Sequence, residues 1–140
     1  MSGTEPLGEP EDLSTARAWL GDADPRKRVL AAKALGRQGP SVAEAVPALL
    51  ATLVDPDPMV RSMAASALGR IGHASAVGPL QACLADPLVP VRFWVVEALG
   101  RIGVSAPGLR EALERMAREE EAHVRAAAQR ALVRLPAPSP

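Results

Sequence analysis

Few side chains in this sequence are equipped for covalent or metal chemistry, and those few are scattered. Cys83 is the single thiol, and His73 and His123 stand 50 residues apart. A nucleophile needs a base within reach, and a transition-metal site needs three or four convergent His, Cys or carboxylate ligands. No His-Glu pair, Cys-x-x-Cys, phosphate loop or dinucleotide fingerprint occurs. The sequence therefore predicts no catalytic set, no cofactor and no metal, and Cys83 reads as a buried, inert thiol. What recurs instead is a cation. Arg37, Arg70, Arg101 and Arg134 form one spaced row, and Arg28, Arg61, Arg92 and Arg125 form another. With Phe93 and Met59 set among such residues, the chemistry on offer is recognition of an acidic, partly apolar surface.

The elements that must carry these side chains follow from composition and pattern. Hydrophobic residues make up 48% of the 140, yet only Trp19, Phe93 and Trp94 are aromatic. A core of Leu, Val, Ile and Ala suits closely packed helices better than strands. No run of about 18 apolar residues would cross a membrane. The acidic start lacks the basic and apolar regions of a signal peptide, and a lone cysteine fits a reducing, cytoplasmic compartment. Glu5, Glu9, Glu11 and Asp12 give the first twelve residues four of the 16 acidic side chains and none of the 16 basic ones, so the remainder has four more basic than acidic residues. That excess is well below what a dedicated nucleic-acid binder carries.

Four segments superpose without gaps: Asp22 to Gly39, Asp55 to Gly72, Asp86 to Gly103 and Glu119 to Pro136. Ala34, Ala67, Ala98 and Ala131 coincide, as do Leu35, Leu68, Leu99 and Leu132, at periods of 33, 31 and 33 residues. Each copy opens on Asp or Glu, three of them with Pro close behind, and runs through about 13 helical residues. Gly39, Gly72 or Gly103 closes the first three, and Pro136 the last. Shorter apolar-periodic stretches lie between the copies: Leu13 to Leu20, Val42 to Leu53, Val77 to Leu84 and Leu109 to Met116. Each unit is thus helix A, tight turn, helix B, and one hairpin alone cannot bury its apolar face. The expected organisation is a disordered acidic leader over 1–12, four repeats at about 13–39, 40–72, 73–103 and 104–135, and a Pro-rich tail over 136–140.

Val46-Pro47-Ala48-Leu49-Leu50, Asp55-Pro56-Asp57-Pro58-Met59-Val60-Arg61 and Ala64 to Gly72 resemble the HEAT-repeat family, most closely its short phycobilisome-lyase-type variant. The first copy departs from that pattern at Lys27, and the fourth at Gln129, Val133 and Pro136. The resemblance implies an all-α, right-handed α-α superhelix of the HEAT/armadillo type, with four hairpins and about eight helices. It also implies that the B helices line a concave face where ligands bind, and that the row containing Arg61 is structural and pairs with turn carboxylates such as Asp22, Asp55 and Asp86. Some HEAT-like oxygenases carry His-Glu pairs in their repeats; none is present here.

On a helical wheel Val60, Ala64, Ala67, Leu68 and Ile71 face helix A, while Met59, Ser62, Ser66 and Arg70 lie opposite. The corresponding surface in the other copies adds Arg26, Val29, Lys33 and Arg37, then Pro90, Phe93, Glu97 and Arg101, then His123, Ala126, Arg130 and Arg134. Phe93 has two readings, an aromatic shielded by a neighbouring repeat or a binding anchor. Trp94 falls on the flank facing an adjacent repeat, and Trp19 either caps the first hairpin or joins a second interface. The row Arg37, Arg70, Arg101 and Arg134 either compensates helix C-terminal dipoles or, with Arg26, Lys33 and Arg130, makes a basic groove.

The function these features predict is a non-catalytic scaffold or adaptor of bacterial, cytoplasmic type, binding an acidic or amphipathic protein segment. The proposed contacts are Arg26, Lys33, Arg37, Met59, Arg70, Pro90, Phe93, Trp94, Arg101, Arg130 and Arg134. A bilin-lyase-like subunit or chaperone, suggested by the resemblance, and a weak nucleic-acid binder are the alternatives. Self-association through the open ends of the stack is a further option.

Overall fold

The computed structural model describes residues 6–138. Glu5 of the leader and residues 139–140 of the tail lie outside the described residues. Among the described residues eight α-helices run in order: α1 (Leu13–Trp19), α2 (Pro25–Arg37), α3 (Val46–Thr52), α4 (Pro58–Ile71), α5 (Val77–Ala82), α6 (Val89–Ile102), α7 (Leu109–Met116) and α8 (Ala122–Arg134). They pair as four A–B hairpins, and no strand occurs among the described residues.

Local chemistry sets the helix ends. Asp24 and Asp57 stand at the N-caps of α2 and α4, accepting from Arg26 N at 2.9 Å and Met59 N at 2.8 Å, with Pro25 and Pro58 in the first turn. Gly72 and Gly103 close α4 and α6 at φ 77° and 67°, a left-handed conformation that favours glycine. In the last repeat Leu135 is extended instead, the conformation that a following proline favours. The A stretches are shorter than their apolar patterns suggest. Pro47 lacks an N–H, so α3 starts only at Val46, after a 3₁₀ segment over Gly39–Ala45. Helix α5 likewise ends in a 3₁₀ turn over Cys83–Ala85.

The predicted A-facing stripe of α4 is buried in full: Val60, Ala64, Ala67, Leu68 and Ile71 are at most 3% exposed. One continuous core runs through all four hairpins, from Ala16 to Leu135. Each B helix packs along the next B helix as well as on its own A helix, while successive A helices make little contact. Glycine permits that close approach. A Cβ on Gly36, Gly69 or Gly100 would lie 2.9, 2.7 or 3.0 Å from the Cα of Ala67, Ala98 or Ala131 in the next repeat. A stack tighter in one layer than the other bends toward the tight layer, so the B helices occupy its inner side.

Candidate interaction surface

The Arg row beside the core is a ladder between repeats. Arg28 Nε donates to Asp55 Oδ2 at 2.8 Å, and Arg61 Nε to Asp86 Oδ2 at 2.9 Å. In both, Nη1 is held by two carbonyls of the residue's own turn, Asp22 and Ala23 or Asp55 and Pro56. Each Arg thus ties its own turn to the turn of the following repeat, and the Asp55 bond holds Arg28 all the more firmly protonated. The Asp22 carboxylate lies 3.8 Å from Lys27 and accepts from Asp24 N at 2.9 Å. Arg92 departs from the pattern: Nη2 reaches Glu119 at 2.9 Å, but Nε is buried without an acceptor. Arg125 at the end of the row bonds only the carbonyls of Glu119 and Glu120 among the described residues.

The second Arg row lies on the inner face, one residue in the last turn of each B helix. Its members differ in their partners. Arg37 Nη2 donates to Glu9 Oε1 of the leader. Arg70, Arg101 and Arg134 are exposed and have no acidic partner among the described residues, and the same holds for Lys33. Arg130 is paired with Glu97 at 2.9 Å. Arg26 is held by Asp24 at 2.9 Å, a bond that keeps the Asp24 carboxyl below its usual range.

Between α2 and α4 this face opens into a hollow of about 250 Å³. Ala32, Gly36, Ala67 and Met63 make its apolar floor, and Lys33, Arg37, Ser66 and Arg70 stand on its rim. Trp94, arriving from α6, forms one wall. The helical wheel of a single helix does not reveal this site, because Trp94 belongs to a repeat different from those that supply the floor. A large aromatic one repeat along from small Ala and Gly positions is the pattern that would have pointed to it.

The remaining predicted contacts are distributed along the same side. Met59 and Pro90 are exposed. Phe93 is half-buried, edge-on to Trp94 with ring centroids 5.1 Å apart and tilted against His123 of the next repeat at 5.4 Å. Ser62, at the same place in its repeat as Phe93, is buried. That position faces the seam between neighbouring B helices rather than open solvent. Trp19 is half-buried beneath the Lys27 ammonium, 5.1 Å from its ring centroid. Cys83 is half-buried, and burial pushes its thiol pKa upward, with Asp86 adding to the effect and Arg61 opposing it. No group of three or more His, Cys, Asp or Glu side chains converges among the described residues.

Hairpins stacked through glycine contacts, with an Arg–carboxylate ladder behind and a cationic inner face in front, define an α-helical repeat solenoid. The HEAT-repeat family profile matches residues 13–90 and 73–133, and the chain belongs to that family. Three solved structures are similar. An engineered protein aligns at 22% identity and TM-score 0.72, over 87% of this chain and 61% of its own. Human deoxyhypusine hydroxylase in complex with glycerol aligns at 32% identity and TM-score 0.70, over 92% of this chain and 45% of its own. The CpcE–CpcF complex of phycocyanin lyase from Nostoc sp. PCC7120 aligns at 24% identity and TM-score 0.67, over 94% and 67%. The chain thus spans less than two thirds of the first two, and the first and third show likeness of fold alone. No curated protein sequence matches it.

Proposed function

We propose that this protein is a non-catalytic interaction module whose inner face grips an acidic, partly apolar segment of another protein. The observation that carries the reading is the hollow between α2 and α4, where an apolar floor and the Trp94 wall are ringed by cations. Two of those cations, Lys33 and Arg70, have no acidic partner among the described residues. An apolar side chain would fill the hollow while flanking carboxylates meet the rim, and Arg101 and Arg134 would extend the contact along the stack. Arg is suited to this because its planar fork meets a carboxylate with two hydrogen bonds. Phe93, Pro90 and Met59 would border the same track. Among the described residues no helix is long and apolar enough to cross a membrane. From its single thiol we place the module in a reducing, cytoplasmic setting. Two similar structures are named as a hydroxylase and a lyase complex. The reading as a binder rather than an enzyme rests on the cationic hollow.

The test is fluorescence anisotropy with a labelled synthetic peptide of glutamate pairs spaced by leucine, against the wild type and the Lys33→Glu, Arg70→Glu double variant. Saturable binding that weakens with salt, and by at least about ten-fold in the variant, supports the reading. Binding unaffected by the double substitution moves the surface elsewhere. Binding of duplex DNA in place of the peptide replaces the partner class.

A further inference from the structure

We propose that the chain's own acidic leader regulates this surface, with Glu9 covering Arg37 so that an acidic partner must displace it. The inference rests on the reading of the hollow as an acidic-segment site. Arg37 belongs to two features at once: it stands on the rim of the hollow, and it lines a cleft at the N-terminal end of the stack with Glu9, Pro10, Leu13, Ala34 and Gln38. Ala34 corresponds to Ala67, Ala98 and Ala131, each of which receives a glycine from the repeat before it. Among the described residues Ala34 meets no such glycine, and the leader shares the cleft beside it instead.

The leader is pinned there. Asp12 caps α1 by accepting from Thr15 N at 2.7 Å, and Leu7 and Pro10 are half-buried. Glu9, three residues before the cap, is therefore tethered close to Arg37 and acts at a high effective concentration. The contact is nonetheless easily exchanged, because both side chains are about half exposed or more, at 64% for Glu9 and 47% for Arg37. An exposed pair of this kind shifts an equilibrium by at most about five-fold. That is the range of a modulator: it raises the threshold for weak acidic ligands without closing the surface. The leader is also a sample of the chemistry the rim accepts, since it brings a carboxylate and no cation to the row.

The same acidic peptide is titrated against four forms of the full chain: wild type, Glu9→Gln, Arg37→Gln and the double variant, with thermal unfolding by circular dichroism confirming equal folding. Glu9→Gln is expected to tighten binding by about two- to five-fold. Arg37→Gln is expected to weaken the Glu9→Gln protein more than it weakens the wild type, and the double variant should match Arg37→Gln alone. Equal affinity of wild type and Glu9→Gln overturns the leader's role while leaving the surface intact. Absence of binding in every form overturns the surface, and this inference with it.

Discussion

Gly69 and Ala98 make the closest of the three glycine contacts between repeats: a Cβ added to Gly69 would lie 2.7 Å from the Ala98 Cα and 2.9 Å from its Cβ. Alanine favours a helix over glycine by about 1 kcal/mol, yet here the backbone of α6 occupies the space its methyl needs. Gly69→Ala is expected to destabilise by about 1–3 kcal/mol, because relieving the overlap means parting α4 from α6. Urea unfolding followed by circular dichroism measures it; a stabilised variant would show that the layer yields freely.

Val133 stands at the corresponding place in α8 and is 84% exposed. A fifth repeat docking in register would meet a whole isopropyl group where the others meet hydrogen. Gln129 adds a polar side chain where Ala32, Ala65 and Val96 are buried. Val133 and Gln129 therefore oppose in-register stacking of another copy on this end, and sedimentation velocity should show no head-to-tail growth over a wide concentration range. Concentration-dependent growth into linear oligomers would contradict this.

The Arg–carboxylate ladder predicts unequal costs along one row. Arg61→Ala removes the bond to Asp86 and to two turn carbonyls, and leaves a carboxylate whose side chain is only 10% exposed. The expected loss is about 2–4 kcal/mol. Arg125→Ala removes only carbonyl contacts at the end of the stack and should cost about 1 kcal/mol. Denaturant midpoints of the two variants make the comparison, and equal costs would mean the ladder does not join repeats.

The step from the third repeat to the fourth is the weak one. Glu119 replaces the Asp of the other rungs, its side chain is 26% exposed against 10% for Asp55 and Asp86, and Arg92 Nε is left without an acceptor. Glu119→Asp is expected to bring the carboxylate to Nε and to stabilise by about 1 kcal/mol. Hydrogen exchange in the wild type should be fastest in α7 and α8 among the helical hairpins, and the substitution should slow it.

The repeat and its buried stripe are legible in the sequence because Ala67, Leu68 and Gly72 recur at fixed places and a single helical wheel sorts them. Relations between repeats are not legible in that way. Arg28 joins the carboxylate of Asp55 while taking only the carbonyl of Asp22, a choice made by how one hairpin sits on the next. For the same reason the wheel sends Ser62 and Phe93 outward, whereas the neighbouring B helix covers the first and His123 flanks the second. The hollow needs Ala32 and Trp94 from repeats one and three, a separation that no local pattern encodes.

Trp94 offers the most direct measurement of the central claim. The protein has two tryptophans, so two indole N–H signals report separately during an NMR titration with the acidic peptide. Trp94 is in the wall of the hollow, and Trp19 lies under Lys27. The account predicts that the Trp94 signal moves in a saturable way while that of Trp19 stays in place. Movement of Trp19 alone, or of neither signal while the peptide binds, would contradict it.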